Sequence, residues 1–373
     1  MKIPLSFWED SFFNEIFDLA VVGAGFVGLS AALEYKRSLP QAKVVILEKG
    51  IVGQGASTKN AGFSCFGSVG ELEDDALTNP IDSVLETVKR RWEGLGILRA
   101  NIPDAEMDYI ETGGWEVFQD KDEYEAAALS IEKWNDLLRP IIGKGVFQAQ
   151  ALEKMNFHSM SIYNPYEGQL NPMKAIQYLY RKAISEGITI LRGIDVDTWS
   201  KKNNVFAISD KGSHSFRSKK LLVATNGFTS KLLPDLDVKP ARNQVLITKP
   251  LQDLQIKGNY HYEKGYIYFR HVDNRLLLGG ARFISDKENT SSYGQTAEIQ
   301  DYLSSLLKEH ILIDQSYDID QWWSGILGVG DAKGPLVKEI EKGLFAAVRL
   351  GGMGVAIGME VGQKSAQQIL FSK

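Results

Sequence analysis

The sequence predicts an α/β fold in which a Rossmann-like nucleotide-binding domain, assembled from separated segments, is joined by a second, strand-rich α+β domain. Three observations lead there. Phe17–Tyr35, FDLAVVGAGFVGLSAALEY, reads as a buried strand (Asp18 to Val22), a glycine turn (Gly23, Gly25, Gly28) and a helix-period apolar run from Phe26 to Arg37. A second apolar strand, Val44 to Leu47, ends in Glu48, 20 residues after Gly28. Glycines cluster near 23–28, 50–70 and 325–362 of a 373-residue chain, so they meet around one ligand only if the domain holding it is discontinuous.

The glycine turn has a direct physical purpose. Residues without a Cβ let the backbone approach phosphate oxygens, and the free N–H groups and positive dipole end of the following helix favour that anion. Glu48 can accept hydrogen bonds from both hydroxyls of an adenosine ribose, and it selects against a 2′-phosphate. NADP is therefore disfavoured, and FAD and NAD remain.

Composition narrows the class further. Forty-two basic and 47 acidic side chains give a net charge of −5 with no basic block, so nucleic acid is not an expected partner. The single cysteine, Cys65, excludes an internal disulfide, argues against a cysteine-based zinc site and suits a reducing cytoplasm. Glu9, Asp10 and Glu15 interrupt the opening segment, which lacks the features of a leader. Its aromatics Trp8, Phe12 and Phe13 are expected to pack on the protein's own first domain. No apolar run approaches the ~20 residues that a membrane-spanning helix needs.

The remaining elements follow in order. Ile81–Ala100 and Asp122–Leu138 have helical patterns, and Asp108–Gln119 between them reads as a hairpin turning at Gly113-Gly114. Asn171-Pro172 opens an amphipathic helix that Gly187 closes. Strands are expected at Ile188–Leu191, Val205–Ser209 and Lys220–Ala224, then at Asn243–Lys249, Tyr266–His271 and Leu276–Phe283. A helix at Thr296–His310, a strand near Tyr317–Trp323, a strand at Gly343–Val348 and a terminal helix Gly354–Leu370 complete the chain. The predicted nucleotide domain comprises 1–80, 150–235 and 325–373; the substrate domain comprises 81–149 and 236–324.

Several motifs in order resemble the FAD-dependent D-amino-acid oxidase superfamily: GAGFVGLSAALEY with VVILEKG, QGASTKNAGF, EGQLNPMKAI, LLVATNGFTSKLLPDL, PARNQVLITKP, YIYFRHVDNRLLLGGARF, WWSGILGVGDAKGPLV and RLGGMGVAIG. The glycine and sarcosine oxidase type is similar, and the opening LSFWED with ATNGFTSKLLP resembles the γ-glutamylputrescine oxidase group. The resemblance implies a glutathione-reductase-like topology and noncovalent FAD. It implies cofactor contacts from Gly23, Gly25, Phe26, Val27, Gly28, Glu48 and Lys49, and from Gly55, Ala56, Ser57, Thr58, Lys59, Asn60 and Gly62. Ser57 and Thr58 are expected as helix caps near the flavin-side phosphate, with Lys59 and Asn60 near the ribityl chain and ring edge. Val196 is expected beside adenine, where its side chain reads equally as core, and Thr225, Asn226 and Gly227 along the FAD crevice. Gly351, Gly352, Met353 and Gly354 open the terminal helix, whose dipole would stabilise charge on the reduced flavin.

The resemblance also shows departures. Arg349 stands where relatives often have glycine, and is either a substrate-carboxylate clamp or an ion-pair residue. Met353 stands where they often have histidine and cannot donate a hydrogen bond. Leu277 occupies the position matched to an oxygen-activating lysine, which leaves O2 or another acceptor open. Implied chemistry is oxidation of the C–N bond of a small amine or amino acid, in a pocket that keeps the amine neutral. Tyr266, Tyr268 and Trp323 are candidate walls, and strand alternation puts Tyr266, Tyr268 and Arg270 on one face. Arg270 is either a substrate clamp or structural, and Arg242 a weaker clamp candidate. The five histidines form no evident constellation. A 2-hydroxy-acid or polyol dehydrogenase and a flavin-binding module without turnover are the alternatives.

Overall fold

The computed structural model describes residues 4–212 and 214–372. Met1–Ile3 of the opening segment therefore lie outside the described residues. The chain divides into two compact units: Met1–Thr58, Met173–Pro240 and Leu327–Lys373 form the first, and Lys59–Pro172 with Ala241–Ile326 form the second.

The first unit is built on an eight-stranded sheet. Its central strands, Thr189–Arg192, Val44–Glu48, Ile16–Val22, Ser215–Val223 and Leu344–Val348, run parallel in that order. Every residue of Val44–Glu48 and Leu344–Val348 is buried, as strands covered on both faces require. Ser215–Val223 is longer than the sequence suggests. Its first half also pairs antiparallel with Val205–Asp210, which in turn pairs with Val196–Lys202.

Helices Phe26–Ser38 and Gly354–Phe371 pack almost backbone to backbone. A Cβ at Gly362 would fall 2.6 Å from Val27 O, one at Gly358 would fall 2.8 Å from Phe26 Cβ, and Ser30 Oγ donates to Met359 O at 2.7 Å. Val355, Met359 and Ala366 share this buried side of the helix. In the opening segment, Phe12 and Phe13 pack on the core, whereas Trp8 is 78% exposed, contrary to expectation. The short helix Phe7–Phe13 buries none of its residues, because its apolar side chains do not fall on one stripe.

The second unit holds another eight-stranded sheet. In spatial order its strands are Ile319–Val329, Lys239–Thr248, Arg275–Gly280, Ile267–Val272, Asn259–Tyr262, Gly114–Glu116, Met160–Asn164 and Gln148–Ala151. A small sheet joins Phe63–Ser64, Gly168–Gln169 and Ile110–Glu111. This corrects two expectations. Gly113-Gly114 does not turn a hairpin, since Ile110–Glu111 and Gly114–Glu116 belong to different sheets. The first unit also stops at Thr58 rather than near 80, and 150–172 belongs to the second unit, because strands from these segments pair within its sheets.

The predicted helix over 122–138 is two, Lys121–Ala128 and Ile131–Ile142. The one predicted over 296–310 ends at Leu306 and continues as a π-turn, Leu307–Ile311. No helix among the described residues is long and apolar enough to cross a membrane.

Candidate functional site

In the first unit the glycine turn is shaped by contacts that no side chain could share. Gly23 has φ +104°, and a Cβ at Gly28 would fall 1.9 Å from Gly23 O. Glu48 fixes the turn from beside it, as its Oε2 accepts from Ala24 N–H and its Oε1 from Gly50 N–H, both at 2.8 Å. A carboxylate oxygen has two lone pairs, so this buried group keeps acceptor capacity for ribose hydroxyls.

Ser57 does not cap a long helix of its own. Ala56–Lys59 is a single turn, and Ser57 Oγ instead accepts from Phe26 N–H at 3.1 Å, at the start of the Phe26–Ser38 helix. Thr58 Oγ1 donates to the Gly53 and Gly55 carbonyls, both at 3.3 Å, and so is not the expected cap. A Cβ at Gly55 would meet no atom within 4 Å, and Gly55 lacks a positive φ. Neither packing nor backbone geometry explains this glycine.

Two helices open here without a capping bond from their own N-cap residue, the first having Ser57 Oγ on its first N–H instead. Gly25 and Met353 hold the cap positions of Phe26–Ser38 and Gly354–Phe371, and neither helix has an acidic residue in its first turn. Such ends favour a bound anion. Arg349, Gly351 and Gly352 have φ of +65°, +57° and +90°, which turns the chain into the terminal helix. Asn226 secures the turn, because its Oδ1 accepts from the N–H groups of Arg349 and Leu350 at 3.1 and 3.3 Å.

The Arg349 side chain is committed within this unit. It pairs with Asp237 at 2.6 Å and donates through Nε to Gly334 O. Of the two readings open in the sequence, the geometry gives the ion pair. The left-handed φ explains why relatives often place glycine there.

Thr225 and Gly227 bracket Asn226 at the end of the Ser215–Val223 strand, where Thr225 Oγ1 meets Thr229 Oγ1 at 3.2 Å and Gly227 is buried. Val196 is buried and its carbonyl accepts from Lys231 Nζ at 2.8 Å. Lys49 and Lys231 both pair with the adjacent Asp195.

The second unit presents an aromatic wall. Ala61, Val245 and Leu277 are buried together, with Phe63, Ile247, Tyr268, Val272 and Trp323 packed on them. Trp323 Nε1 donates to Lys59 O at 3.0 Å, and Lys59 Nζ lies 5.3 Å from the centre of the Tyr293 ring. Gly62 N–H donates to Asn60 Oδ1 at 2.9 Å, and Gly62, at φ +73°, leaves space for Leu170 O and the Arg270 guanidinium.

Arg270 donates to Ala61 O at 2.5 Å and Leu170 O at 3.1 Å. Burial pushes its guanidinium down to about 10, only partly countered by Asp273. Arg242 is spent on Glu288 through two bonds, at 2.9 and 2.8 Å, and supports the sheet. Tyr266 is exposed.

Tyr268 and Asn243 form a polar pair in this wall that the sequence did not single out. Asn243 Nδ2 donates to Tyr268 Oη at 3.2 Å, while the buried Asn243 Oδ1 has no partner among the described residues. Burial pushes the Tyr268 hydroxyl up, so it stays protonated with a proton to donate. Gly279 makes room for the ring, since a Cβ there would fall 2.9 Å from Tyr268 Cε2.

Each histidine is expected as a surface or hydrogen-bonded core residue, and one of them gathers further partners in the fold. His261 is buried and bonds Glu167 at 2.7 Å, near Cys65. The signal was not readable because the three residues lie in distant segments.

The comparisons agree with this architecture. The chain is 23% identical to the probable oxidoreductase OrdL of Haemophilus influenzae over 95% of this chain and 83% of that protein. Its fold is similar to that of glycine oxidase from Geobacillus kaustophilus (TM-score 0.75, 20% identity, 96% of each chain). It is similar also to L-proline dehydrogenase from P. horikoshii (0.76, 18%, 95% of this chain and 93% of that one) and to iminodiacetate oxidase from a Chelativorans species (0.77, 19%, 95% and 96%). The DAO family, described as FAD dependent oxidoreductase, matches residues 18–368. With that match spanning nearly the whole chain, and a glycine turn and helix starts free of acidic residues that suit such a cofactor, the protein belongs to the DAO family and is an FAD-dependent oxidoreductase.

Proposed function

We propose that the protein oxidises the C–N bond of a small amine or amino acid, with FAD held noncovalently, and that it sits near the γ-glutamylputrescine oxidase branch of its family. The observation that carries the substrate class is the unpartnered Asn243 Oδ1 beside a protonated Tyr268. A buried acceptor without a donor is costly, and an amine N–H satisfies it. Tyr268 O–H can then donate a hydrogen bond to a substrate carboxylate while keeping its proton. The apolar surroundings of Phe63, Leu277 and Trp323 make a charged ammonium costly and favour the neutral amine, the form that can lose hydride.

When bound, FAD would supply the two-electron sink for a hydride equivalent lost from the carbon beside nitrogen. Loss of that hydride and of the N–H proton leaves an imine, which water splits to a carbonyl compound and an amine. Fold neighbours named glycine oxidase and iminodiacetate oxidase support the reading. The lone free Cys65 fits a reducing compartment such as the cytoplasm.

An anaerobic bleaching screen tests the proposal. Amines or amino acids should reduce the flavin, and Asn243→Leu should slow reduction at least tenfold with flavin content retained. Bleaching by 2-hydroxy acids alone would transfer the assignment to a hydroxy-acid dehydrogenase. Readmitting air then shows whether O2 is the acceptor.

A further inference from the structure

Cys65, Glu167 and His261 come from three distant segments, and the second unit gathers them at one point. Phe63–Ser64 pairs antiparallel with Gly168–Gln169, in the register Phe63 to Gln169 and Ser64 to Gly168, which carries Cys65 and Glu167 past the same end of the ladder. His261 stands in the Asn259–Tyr262 strand, with Nε2 2.7 Å from Glu167 Oε2. One donor atom from each residue, a sulfur, a carboxylate oxygen and a ring nitrogen, lies within 4.8 Å of the other two. Glu167 is 1% and His261 8% exposed.

The surroundings are shaped for this cluster. A Cβ on Gly114 would fall 2.2 Å from Glu167 Oε2, so the missing side chain is what admits the carboxylate. Phe63 fixes the imidazole from one side, with ring centres 5.5 Å apart. Glu116 lies opposite His261 in the adjoining ladder, held by Ser68 Oγ at 2.8 Å and Gly70 N–H at 3.0 Å.

We infer that Cys65 Sγ, Glu167 and His261 Nε2 form a binding site for a thiophilic divalent cation of the Zn²⁺ class. A mixed sulfur, nitrogen and oxygen set suits that ion, whereas Mg²⁺ and Ca²⁺ take oxygen ligands. Tetrahedral zinc bonds of about 2.0–2.3 Å place donors roughly 3.3–3.7 Å apart. The His261–Glu167 contact therefore opens slightly, Cys65 closes by about an ångström, and the ion replaces the proton between imidazole and carboxylate. The thiol proton is released in the same event. Three protein ligands leave the fourth position to water. The expectation from a lone cysteine rested on counting sulfurs, and here histidine and glutamate complete the set.

The test uses the purified flavoprotein, treated with chelator and then dialysed against Zn²⁺ alone, with metal read by emission spectroscopy and flavin by absorbance. One zinc per chain is expected, and Cys65→Ser and His261→Gln should each weaken binding by more than about tenfold with flavin retained. Because Cys65 is the only thiol in the sequence, zinc should also slow its alkylation. Co²⁺ should add tetrahedral bands to the red of the flavin. Absence of zinc at micromolar free metal, or equal retention by Cys65→Ser, would overturn the site. If His261→Gln does not fold, Cys65→Ser and thiol protection decide the matter.

Discussion

Substituting Gly28 by alanine tests whether the first glycine turn is shaped for a cofactor. The new Cβ would lie 1.9 Å from Gly23 O and 3.1 Å from Val21 Cγ1, where ordinary contact begins at 3.4 Å. Gly23 cannot easily retreat by the missing ~1.5 Å. Its N–H bonds Leu47 O at 2.9 Å, and the next N–H is held by Glu48 at 2.8 Å. Overpacking of this kind costs about 1–3 kcal/mol. If that strain falls on the bound conformation, at about 1.4 kcal/mol per decade FAD affinity drops roughly five- to a hundredfold.

Two neighbouring glycines separate packing from ligand contact. At Gly25 the Cβ would meet Ser57 Oγ at 2.7 Å, a side-chain atom that can rotate, so alanine there should cost less. At Gly55 it would meet no protein atom, so Gly55→Ala should leave thermal stability of the flavin-free protein unchanged while lowering FAD affinity. The assay is flavin titration by fluorescence quenching, alongside melting of the flavin-free protein. Gly28→Ala binding FAD within twofold of the parent would refute the cradle argument. Gly55→Ala doing the same would remove the ligand as the reason for that glycine.

Arg349 holds a left-handed φ, which costs a side-chain residue about 1 kcal/mol relative to glycine. Arg349→Gly should thus unfold at higher urea than Arg349→Ala, and the reverse order would show that the turn is unstrained. Arg270→Ala should lose about 2–3 kcal/mol and part of its flavin, since it strands the buried Ala61 and Leu170 carbonyls; normal stability with a raised KM for anionic substrates would make Arg270 a clamp instead. Burial would raise the Glu288 carboxyl, but hydrogen bonds from Arg242, Gln244 and Thr296 hold it below its ordinary 4.5. Its contribution is therefore full above that value and lost as pH falls through the depressed one. Glu288→Ala should cost about 3–5 kcal/mol at pH 7, and the gap to the parent should shrink only in acid. A gap that shrinks between pH 7 and 6 would contradict the assignment.

The cofactor half of the molecule was legible because its glycines answer to local constraints. Gly23 and Gly28 sit within one strand, turn and helix, and the pattern names the chemistry directly. The strand-rich unit was not. Asn243 and Tyr268 become a pair only through the side-by-side placement of Lys239–Thr248, Arg275–Gly280 and Ile267–Val272, and that order is not written in any local spacing. Arg270 stayed open between substrate clamp and structural residue because carbonyl partners leave no trace in a sequence. His261 looked isolated for a similar reason, as its carboxylate partner is 94 residues away. Gly113-Gly114 misled differently: one of the two serves a close approach by Glu167, not a hairpin.

The hydrogen bond from Ser30 to Met359 spans 329 residues, and the glycines at 358 and 362 dock the chain's last helix onto its first long one. During synthesis the Phe26–Ser38 helix therefore waits, its partner face bare, until the segment 329 residues downstream has left the ribosome. Deleting Gly354–Phe371 should therefore leave that face of Phe26–Ser38 bare and cost the protein its flavin.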